Sequence, residues 1–523
     1  MKTLTLRTLL LASFGAGLLF PQQQSQPTVK GEAKHDESPA MSSIPKKQQT
    51  ENGIIVRKEH RVKPLPKPTS TEKKSLPDTV TQKKATAAFQ ANLLAPFEGI
   101  GKKNYPIGSD PPDTNGAVGL TQYVEWVNTA FAVYDKNTGT LIGDVLDGNS
   151  LFSGFGGDCQ QFNDGDPIVL YDKAADRWVL SQFAVTGGEN TPGGTFSHCI
   201  AVSQTPDARG KYNRYEFKFN DFNDYPKLGV WPDAYYVTFN MFHANSFTGS
   251  KACAYDRTKM LAGQAATMQC FDVPNQGGLL PADLDGPKNL PVGSSNFFLN
   301  FNMNGASLNL WKFHADWADT TKTTFTGPQA IPVSAFTIGC DPCVAQPKGG
   351  IQLGTLSDRL MFRLAYRKFA DHDSLVVNHT VSAQGVTGIR WYEIRNPGGT
   401  PTIAQQSTFS PDKNFRWMGS IAMDKMGNAV LGYSVSSSKV FPAVRFTSRN
   451  FSDPAGVMSA EKIVQPGVGV QNDPDRWGDY SSMTLDPVDD CTFYFSTQFA
   501  GETGKGSYNW HTLITKMKFP SCQ

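Results

Sequence analysis

Residues 166–183 read DPIVLYDKAADRWVLSQF and contain the pattern that decides the fold. A β-branched and aromatic run ends at Asp172, four polar or small residues follow, and a second such run begins at Arg177. Short apolar runs bounded by Asp, Asn, Gly and Pro predict two antiparallel strands joined by a turn. The pattern returns as SIAMDKMGNAVLGY at 420–433 and as DYSSMTLDPVDDCTFYF at 479–495. The sequence therefore predicts a repeated β-hairpin.

A second hairpin follows within each repeat. FAVYD at 131–135 and ACAYD at 252–256 each precede a short polar turn and another apolar run. Two hairpins in succession predict a four-stranded antiparallel meander. We expect the first strands of these meanders to start near seven positions, which are Asp113, Asp166, Asp233, Ser295, Asp358, Gly419 and Asp479.

The spacing of these positions indicates the architecture. Successive gaps are 53, 67, 62, 63, 61 and 60 residues, and four-stranded repeats longer than about 40 residues are typical of propeller blades. We predict an all-β, seven-bladed β-propeller over residues 95–523, with residues 95–115 closing the ring onto the last blade. Six or eight blades stay open because FFLNF at 297–301 lacks the Asp signature, and a tandem of β-sandwiches is the alternative fold.

The composition excludes several classes of protein. The 523 residues include 49 Lys and Arg against 47 Asp and Glu, so a net charge of +2 does not indicate a nucleic-acid binder. Only 18% of residues are charged, and 48 Gly with 34 Pro favour a turn-rich β protein. Collagen, a coiled coil and a wholly disordered chain are excluded.

The N-terminal residues predict export. Lys2 and Arg7 precede an apolar run over 9–20, which suits a signal peptide over residues 1–26 and is short for a membrane span. Residues 27–94 are rich in Lys, Pro, Ser and Thr, and we predict a disordered basic linker there. No later run reaches the roughly 18 apolar residues that a transmembrane segment needs. We expect a secreted protein, extracellular or periplasmic, and an uncleaved anchor is the alternative.

Eight cysteines in an exported chain predict disulfides. Pairing within one blade or one loop gives four bonds, which are Cys159–Cys199, Cys253–Cys270, Cys340–Cys343 and Cys491–Cys522. The spacing of Cys340 and Cys343 also suits a redox or half-zinc site, but there is no second Cys-x-x-Cys motif and we favour a loop disulfide.

Four segments resemble a known group of proteins. DPPDTNGAVG at 110–119, DRLM at 358–361, GIRWYEIR at 388–395 and DRWGDYS at 475–481 look like motifs of widespread secreted bacterial proteins without an agreed activity. The resemblance covers residues 105–520 and implies a secreted β-rich repeat fold. AMDKMGN at 422–428 is similar to the Asp-box turn of sialidase-like propellers, but it lacks the Ser or Thr and the Trp of a full box. It therefore implies no catalytic residues.

The predicted strand starts suggest a ligand site at the mouth of the central channel. Carboxylates accept hydroxyl protons, Trp faces stack on sugar rings and Arg binds carboxylates, so this mixture suits a glycan. The candidate ligand-binding residues are Asp113, Asp166, Trp231, Asp233, Asp358, Arg359, Arg416, Trp417, Arg476, Trp477 and Asp479. The alternative is that these residues only join one blade to the next.

Catalysis and metal binding are further hypotheses. The candidate catalytic residues are His379, Asp166 and Asp479, and His243 is a second candidate base. No cofactor is expected, although calcium is possible at the oxygen ligands Asp110, Asp113, Asn115 and Asp164. Ordinary turn chemistry explains the same Asp and Asn clusters.

Three functional interpretations compete. The first is a secreted, monomeric propeller that binds an extracellular glycan or a surface protein. The second is a glycan-cleaving enzyme, either a sialidase-like glycoside hydrolase or a polysaccharide lyase. The third is an envelope scaffold without a ligand. A propeller fold is compatible with all three.

Overall fold

The repeated hairpins form successive antiparallel meanders in the computed structural model, each with three or four strands of its own. The model describes residues 26–45, 65, 77–85, 90–105, 111–186, 194–286, 290–291, 293–504 and 509–523. The predicted signal peptide lies outside the described residues, except for residue 26. We number the meanders 1 to 7 in chain order and call the first strand of each its inner strand.

The meanders have the following strands. Meander 1 comprises Asn115–Val118, Gln122–Val127, Ala130–Asp135 and Leu146–Asp147, and meander 2 comprises Gly165–Asp172, Arg177–Val185, Phe196–Ser203 and Tyr212–Phe219. Meander 3 comprises Phe222–Val230, Ala234–His243, Ser246–Asp256 and Thr267–Pro274, and meander 4 comprises Leu280–Asp285, Asn296–Phe301, Ser307–His314 and Thr324–Pro332. Meander 5 comprises Met361–Lys368, Asp373–Ala383, Val386–Arg395 and Thr402–Phe409, and meander 6 comprises Phe415–Met423, Ala429–Ser437, Val440–Arg449 and Lys462–Gln465. Meander 7 comprises Ser482–Leu485, Thr492–Ala500 and Trp510–Lys518, with Asn92–Leu93 and Phe97–Gly101 on its outer edge.

Short helices occur only in connecting segments of the described chain. The α-helices are Gly157–Gln161 and Arg257–Leu261, and the 3-10 helices are Met41–Ser43, Gly148–Phe152, Thr320–Lys322 and Pro347–Gly349. No helix among the described residues is long and apolar enough to cross a membrane.

The inner strands contact one another in cyclic order, and the inner strand of meander 7 contacts that of meander 1. Those of meanders 4 and 5 also pair in parallel, with Ala282 opposite Leu364. Phe97–Gly101 pairs with Trp510–Lys518, so the predicted closure of the last sheet by an early strand is confirmed. The all-β propeller fold is confirmed.

Turn aspartates end the inner strands, as the sequence pattern predicts. Asp172 Oδ1 accepts the backbone N–H groups of Ala174 and Ala175, each at 3.2 Å. Asp424 Oδ1 accepts those of Met426 and Asn428, at 2.9 and 3.0 Å. These side chains satisfy turn N–H groups that the sheet leaves unpaired.

Aromatic side chains fill the spaces between neighbouring meanders. Phe217 of meander 2 stacks on Tyr255 of meander 3 with ring centroids 4.3 Å apart. Tyr123 of meander 1 stacks on Tyr494 of meander 7 at 5.6 Å. Each pair contributes about 0.5–1.5 kcal/mol of stability in addition to the effect of the area that it buries. At these positions the interface between neighbouring sheets is apolar.

All four predicted disulfides are confirmed. The bonds join Cys159 to Cys199, Cys253 to Cys270, Cys340 to Cys343 and Cys491 to Cys522. Cys340–Cys343 lies within the loop between meanders 4 and 5, and each of the other bonds lies within one meander or connects it to an adjacent segment. Disulfides of this number are typical of proteins from oxidising compartments.

Parts of the N-terminal segment differ from the predicted disordered linker over 27–94. Thr28–Gly31 pairs with the outer strand of meander 3, and Lys34–Glu37 pairs with that of meander 2. Thr81–Gln82 extends meander 5. An outer strand has one row of unpaired N–H and C=O groups, and an extended segment can satisfy them whatever its composition. Average composition therefore missed these strands.

Candidate functional site

The inner strands of meanders 2 and 3 begin with a bulge that redirects their side chains. Asp166 and Tyr225 have φ values of 48° and 55°, and the strand register shifts just after each of them. Asp113, just before meander 1, has a φ of 45°. Asp tolerates this left-handed backbone better than most residues because its side chain can hydrogen-bond locally, and bulges often re-aim side chains at functional sites.

Charged and aromatic side chains from four meanders meet at these strand starts. We call the group the axial cluster, and its members are Asp113, Asp166, Lys227, Arg476 and Asp479 with the rings of Tyr225 and Tyr480. All except Arg476 are at most 2% exposed, and 15% of the Arg476 side chain is exposed. The cluster therefore holds several charges in a nearly dry environment.

Hydrogen bonds connect the acidic members. Asp113 Oδ1 accepts the backbone N–H of Asp479 at 2.6 Å, which ties the start of meander 1 to that of meander 7. Arg476 Nη2 donates to Asp479 Oδ2 at 2.6 Å. The second oxygen of Asp113 is buried and has no hydrogen-bond partner among the described residues.

Burial and neighbouring charges shift the pKa values of two members of the axial cluster. Burial raises the pKa of Asp113 well above its ordinary value, and the negative charges of Asp479 and Asp166 raise it further. Burial lowers the pKa of Lys227 to about 8, although the charges of the same three aspartates oppose that shift. A carboxyl group that keeps its proton beside ionised carboxylates can donate it as an acid.

Lys227, Tyr225 and Tyr480 are members of the cluster that the sequence analysis missed. Lys227 Nζ lies 3.5 Å from the ring centroid of Tyr225 and 3.9 Å from that of Tyr480, which is cation–π geometry. A signal was present, because Tyr225-Pro226 follows Asp166-Pro167 after 59 positions, close to the repeat spacing.

A cleft opens beside the axial cluster, on the face where the inner strands start. Its volume is about 340 Å³, and we call it the amide cleft. Its lining residues are Leu65, Phe247, Asn275, Gln276, Gly277, Asn300, Phe301, Asn302, Met303, Asn309, Asp358 and Arg359. The Arg359 guanidinium lies 4.6 Å from the ring centroid of Tyr225 and so connects the cleft to the cluster.

Side-chain amides form a hydrogen-bonded ladder along this cleft. Asn309 Nδ2 donates to Asn300 Oδ1 at 3.0 Å, and Asn300 Nδ2 donates to Gln276 Oε1 at 3.1 Å. Each amide combines a donor group and an acceptor. The ladder therefore holds polar groups of both kinds in fixed positions beside the Phe247 and Phe301 rings.

The cleft has one carboxylate among its lining residues, Asp358. It accepts from Arg359 Nε at 2.8 Å and from the backbone N–H of Leu65 at 2.9 Å. The pKa of Asp358 is lowered, because these interactions with Arg359 and Leu65 outweigh its burial. It is therefore ionised, and it orients Arg359 at the edge of the cleft.

Six of the predicted site residues meet at the channel mouth or border it directly. Asp113, Asp166, Arg476 and Asp479 belong to the axial cluster, and Arg359 with its partner Asp358 connects that cluster to the cleft. Four of them, Asp113, Asp166, Asp358 and Asp479, are Asp residues at predicted strand starts, and Arg359 and Arg476 lie within three residues of one.

Trp231 and Asp233 do not lie at the channel mouth. They follow the end of the inner strand Phe222–Val230 and so belong to the opposite face. Trp231 is 1% exposed, and its Nε1 donates to the Ser294 carbonyl. The prediction misplaced this strand start, because FNDYPKLGV at 222–230 has polar residues and a Pro where a strand pattern expects apolar ones.

Arg416, Trp417 and Trp477 lie near the face where the inner strands start, but their side chains are buried. Arg416 donates to Glu461 and Asp412 at 2.8–3.0 Å. Trp417 and Trp477 are at most 2% exposed and pack together with ring centroids 5.7 Å apart. Buried faces cannot stack on a sugar, so these residues stabilise the meanders.

The two candidate histidine bases lie outside the cluster. His379 is fully buried, and its ring centroid lies 4.6 Å from that of Phe336 and 4.8 Å from that of Phe301. Burial and the charge of Arg390 lower the pKa of His379 well below its ordinary value, so it is neutral. His243 is a surface residue whose Nδ1 lies 2.8 Å from Asp221.

The calcium candidates have structural hydrogen bonds. Asp164 Oδ2 accepts the N–H of Val185 at 2.7 Å, and Asn115 Oδ1 accepts that of Val169 at 2.9 Å. Asp110 lies outside the described residues. Among the residues that the structure describes, no group of three or more His, Cys, Asp or Glu side chains could hold a metal ion.

Comparisons with known proteins identify distant structural neighbours. Extracellular domains 1–2 of Drosophila semaphorin 1b share 10% identity at a TM-score of 0.37, covering 82% of this chain and 87% of that one. An ulvan lyase of polysaccharide lyase family 25 shares 11% identity at a TM-score of 0.36, and the match covers 79% of this chain and 93% of the lyase. The α-L-arabinofuranosidase Arb93A of Fusarium graminearum shares 9% identity at a TM-score of 0.33, and the match covers 81% of this chain and 97% of that enzyme. These likenesses are too distant to assign a ligand or an activity.

No protein-family model and no curated protein matches the chain. The resemblance to a group of secreted bacterial proteins therefore stays a prediction.

Proposed function

We propose that the protein is a secreted propeller that binds an extracellular glycan in the amide cleft, beside the channel mouth. The observation that carries the proposal is the amide ladder of Asn309, Asn300 and Gln276, which adjoins the Phe247 and Phe301 rings. Sugar hydroxyls both donate and accept hydrogen bonds, and so do amides. The volume of about 340 Å³ lies within the usual range for small ligands.

The distribution of charge favours binding over cleavage. A glycoside hydrolase needs two carboxyl groups beside the scissile bond, one of them with a raised pKa. Asp358 is the carboxyl group that lines the described cleft, and its pKa is lowered. Asp113, the member of the axial cluster whose pKa is raised, is fully buried and does not line the cleft.

A glycan-cleaving enzyme is the second candidate, and the axial cluster favours it. Burial and the charges of Asp479 and Asp166 raise the pKa of Asp113, and Arg359 connects that cluster to the cleft through its contact with Tyr225. A scaffold without a ligand is the third candidate. We further propose that the protein is exported, that its propeller domain spans residues 95–523 and that it is a monomer.

The test is a panel of immobilised polysaccharides with two variants of one loop. Asn302 lines the cleft, whereas Asn304 does not. The Oδ1 atom of each accepts a hydrogen bond of 3.0 Å from the backbone N–H two residues later in the chain. Replacing either residue by Ala therefore removes an equivalent internal hydrogen bond. Loss of one ligand hydrogen bond costs about 0.5–1.5 kcal/mol. We therefore expect Asn302→Ala to weaken retention about threefold to tenfold and Asn304→Ala to leave it unchanged.

The same panel separates the alternatives. New reducing ends or ultraviolet-absorbing unsaturated products that vanish in Asp113→Asn would replace the binding proposal with the enzymatic one. Lack of retention on every polysaccharide would favour the scaffold. Equal retention by Asn302→Ala and the wild type would exclude the amide cleft as the binding site.

A further inference from the structure

A second cleft opens on the opposite face of the propeller, between meanders 5 and 6. Its volume is about 440 Å³, and we call it the basal cleft. Strand ends and the turns that follow them form its walls. The lining residues are Phe369, Asp371, His372, Glu393, Arg395, Ala404, Gln405, Met423, Met426, Gly427, Arg449, Phe451, Asp453 and Ala455.

Arg449 provides a buried, unsatisfied donor in this cleft. The residue is 4% exposed, and its Nη2 donates to the Asp453 carbonyl at 2.9 Å. Its Nε is buried and has no hydrogen-bond partner among the described residues. A buried guanidinium N–H without an acceptor is costly, so Arg449 indicates that an acceptor from outside the chain binds here.

The carboxylates near Arg449 already accept from other groups. Glu393 accepts from Ser374 Oγ at 2.9 Å, from Arg395 Nε at 2.7 Å and from Gln405 Nε2. Asp453 Oδ2 accepts the backbone N–H of Asn450 at 2.7 Å. Arg395, whose side chain is 43% exposed, adds a second positive charge to the cleft.

Exposed apolar side chains form the rim. Met426 is 44% exposed and Phe451 is 54% exposed, and they are two of the seven large apolar residues that are exposed in the described part of the chain. Phe369 stacks on His372 in the same cleft with ring centroids 4.7 Å apart. Exposed apolar side chains that share one cleft mark a binding surface more than scattered ones do.

We propose that the basal cleft binds a small carboxylic acid that has an apolar, planar body. The ligand carboxylate accepts from Arg449, and its body packs against Phe451, Met426 and Phe369. Three carboxylates, Asp371, Glu393 and Asp453, line the cleft with the two guanidinium groups, and they repel a doubly charged phosphate more strongly than a single carboxylate. The proposal uses neither the amide cleft nor the axial cluster and is independent of the proposed function.

The experiment is isothermal titration of the folded protein with 3-phenylpropionate, its neutral amide 3-phenylpropanamide, and acetate. We expect 3-phenylpropionate to bind at least tenfold more tightly than either of the others, because only it has both the charge and the apolar body. Arg449→Gln should make the acid and the amide bind alike. Phe451→Ala should weaken the acid at least threefold.

The control variant is Val488→Ala, which removes a 65% exposed apolar side chain from a turn outside the cleft. It should bind 3-phenylpropionate like the wild type. Phe451 is largely exposed, so its variant tests the proposal even if Arg449→Gln does not fold. Lack of binding at millimolar 3-phenylpropionate, equal binding of acid and amide by the wild type, or equal effects of Phe451→Ala and Val488→Ala would overturn the proposal.

Discussion

Replacing Asp113 by Asn tests whether the axial cluster holds a proton. Burial and two neighbouring carboxylates raise the pKa of Asp113 in the folded state. The Asn side chain would keep an oxygen that accepts from the Asp479 N–H and would tolerate a φ of 45°. It would also replace the acidic proton by a permanent donor. We therefore expect Asp113→Asn to be folded and to respond to pH differently from the wild type.

The sign of that response follows from proton linkage. The stabilisation that Asp113 gives in its protonated form is complete below its ordinary pKa and is lost as the pH rises through its raised, folded pKa. Above about pH 4, wild-type stability should fall relative to Asp113→Asn, by at most about 1.4 kcal/mol per pH unit. Asp113→Ala should be about 2–5 kcal/mol less stable than Asp113→Asn at every pH, since it loses the bond to Asp479 and is strained at this backbone conformation.

The assay is guanidinium unfolding between pH 4 and pH 9, monitored by tryptophan fluorescence. Asp135→Asn is the matched control, because hydrogen bonds from the N–H groups of Thr138 and Asn137 lower the pKa of Asp135. The stability that the Asp135 carboxylate contributes is present above its ordinary pKa and is lost as the pH falls through its lowered, folded-state pKa. Since the ordinary pKa of Asp135 and its lowered, folded-state pKa both lie below pH 4, the stability difference between the wild type and Asp135→Asn should be nearly constant from pH 4 to pH 9. A stability difference between the wild type and Asp113→Asn that is constant with pH would refute the raised pKa of Asp113.

Three further predictions concern residues that the structure assigns to packing. Trp417→Ala should lower the free energy of unfolding by about 3–5 kcal/mol, measured by denaturant titration, because its side chain is fully buried. His379→Phe should leave glycan retention and its pH dependence unchanged, because the ring contacts other aromatic rings and Tyr392 instead of a ligand. Asp36→Ala should cost about 1–3 kcal/mol and increase hydrogen exchange at 212–219, because Arg214 loses two bonds of 2.8 and 2.7 Å.

Local patterns were sufficient to predict the architecture. The turn aspartates Asp172 and Asp424 and the alternation around them act over a few residues, so they are visible in the chain itself. The cysteine pairs were predictable for the same reason, since each bond stays within one meander or an adjacent loop. Trp231 shows the limit of this approach, because an inner strand with a bulge and a Pro lacks the expected alternation.

The sequence by itself determined the strand repeat, the disulfide pairs and the acidic residues that begin several inner strands. Only the tertiary structure decided which of those residues meet. Asp113 meets Asp479 because closing the ring brings the first and last meanders together, and Lys227 of meander 3 interacts electrostatically with both. Burial of Trp417 and Trp477 likewise depends on the sheet that packs against them. Side-chain proximity and dielectric environment arise from contacts between residues far apart in the chain, and local sequence patterns do not encode those distances.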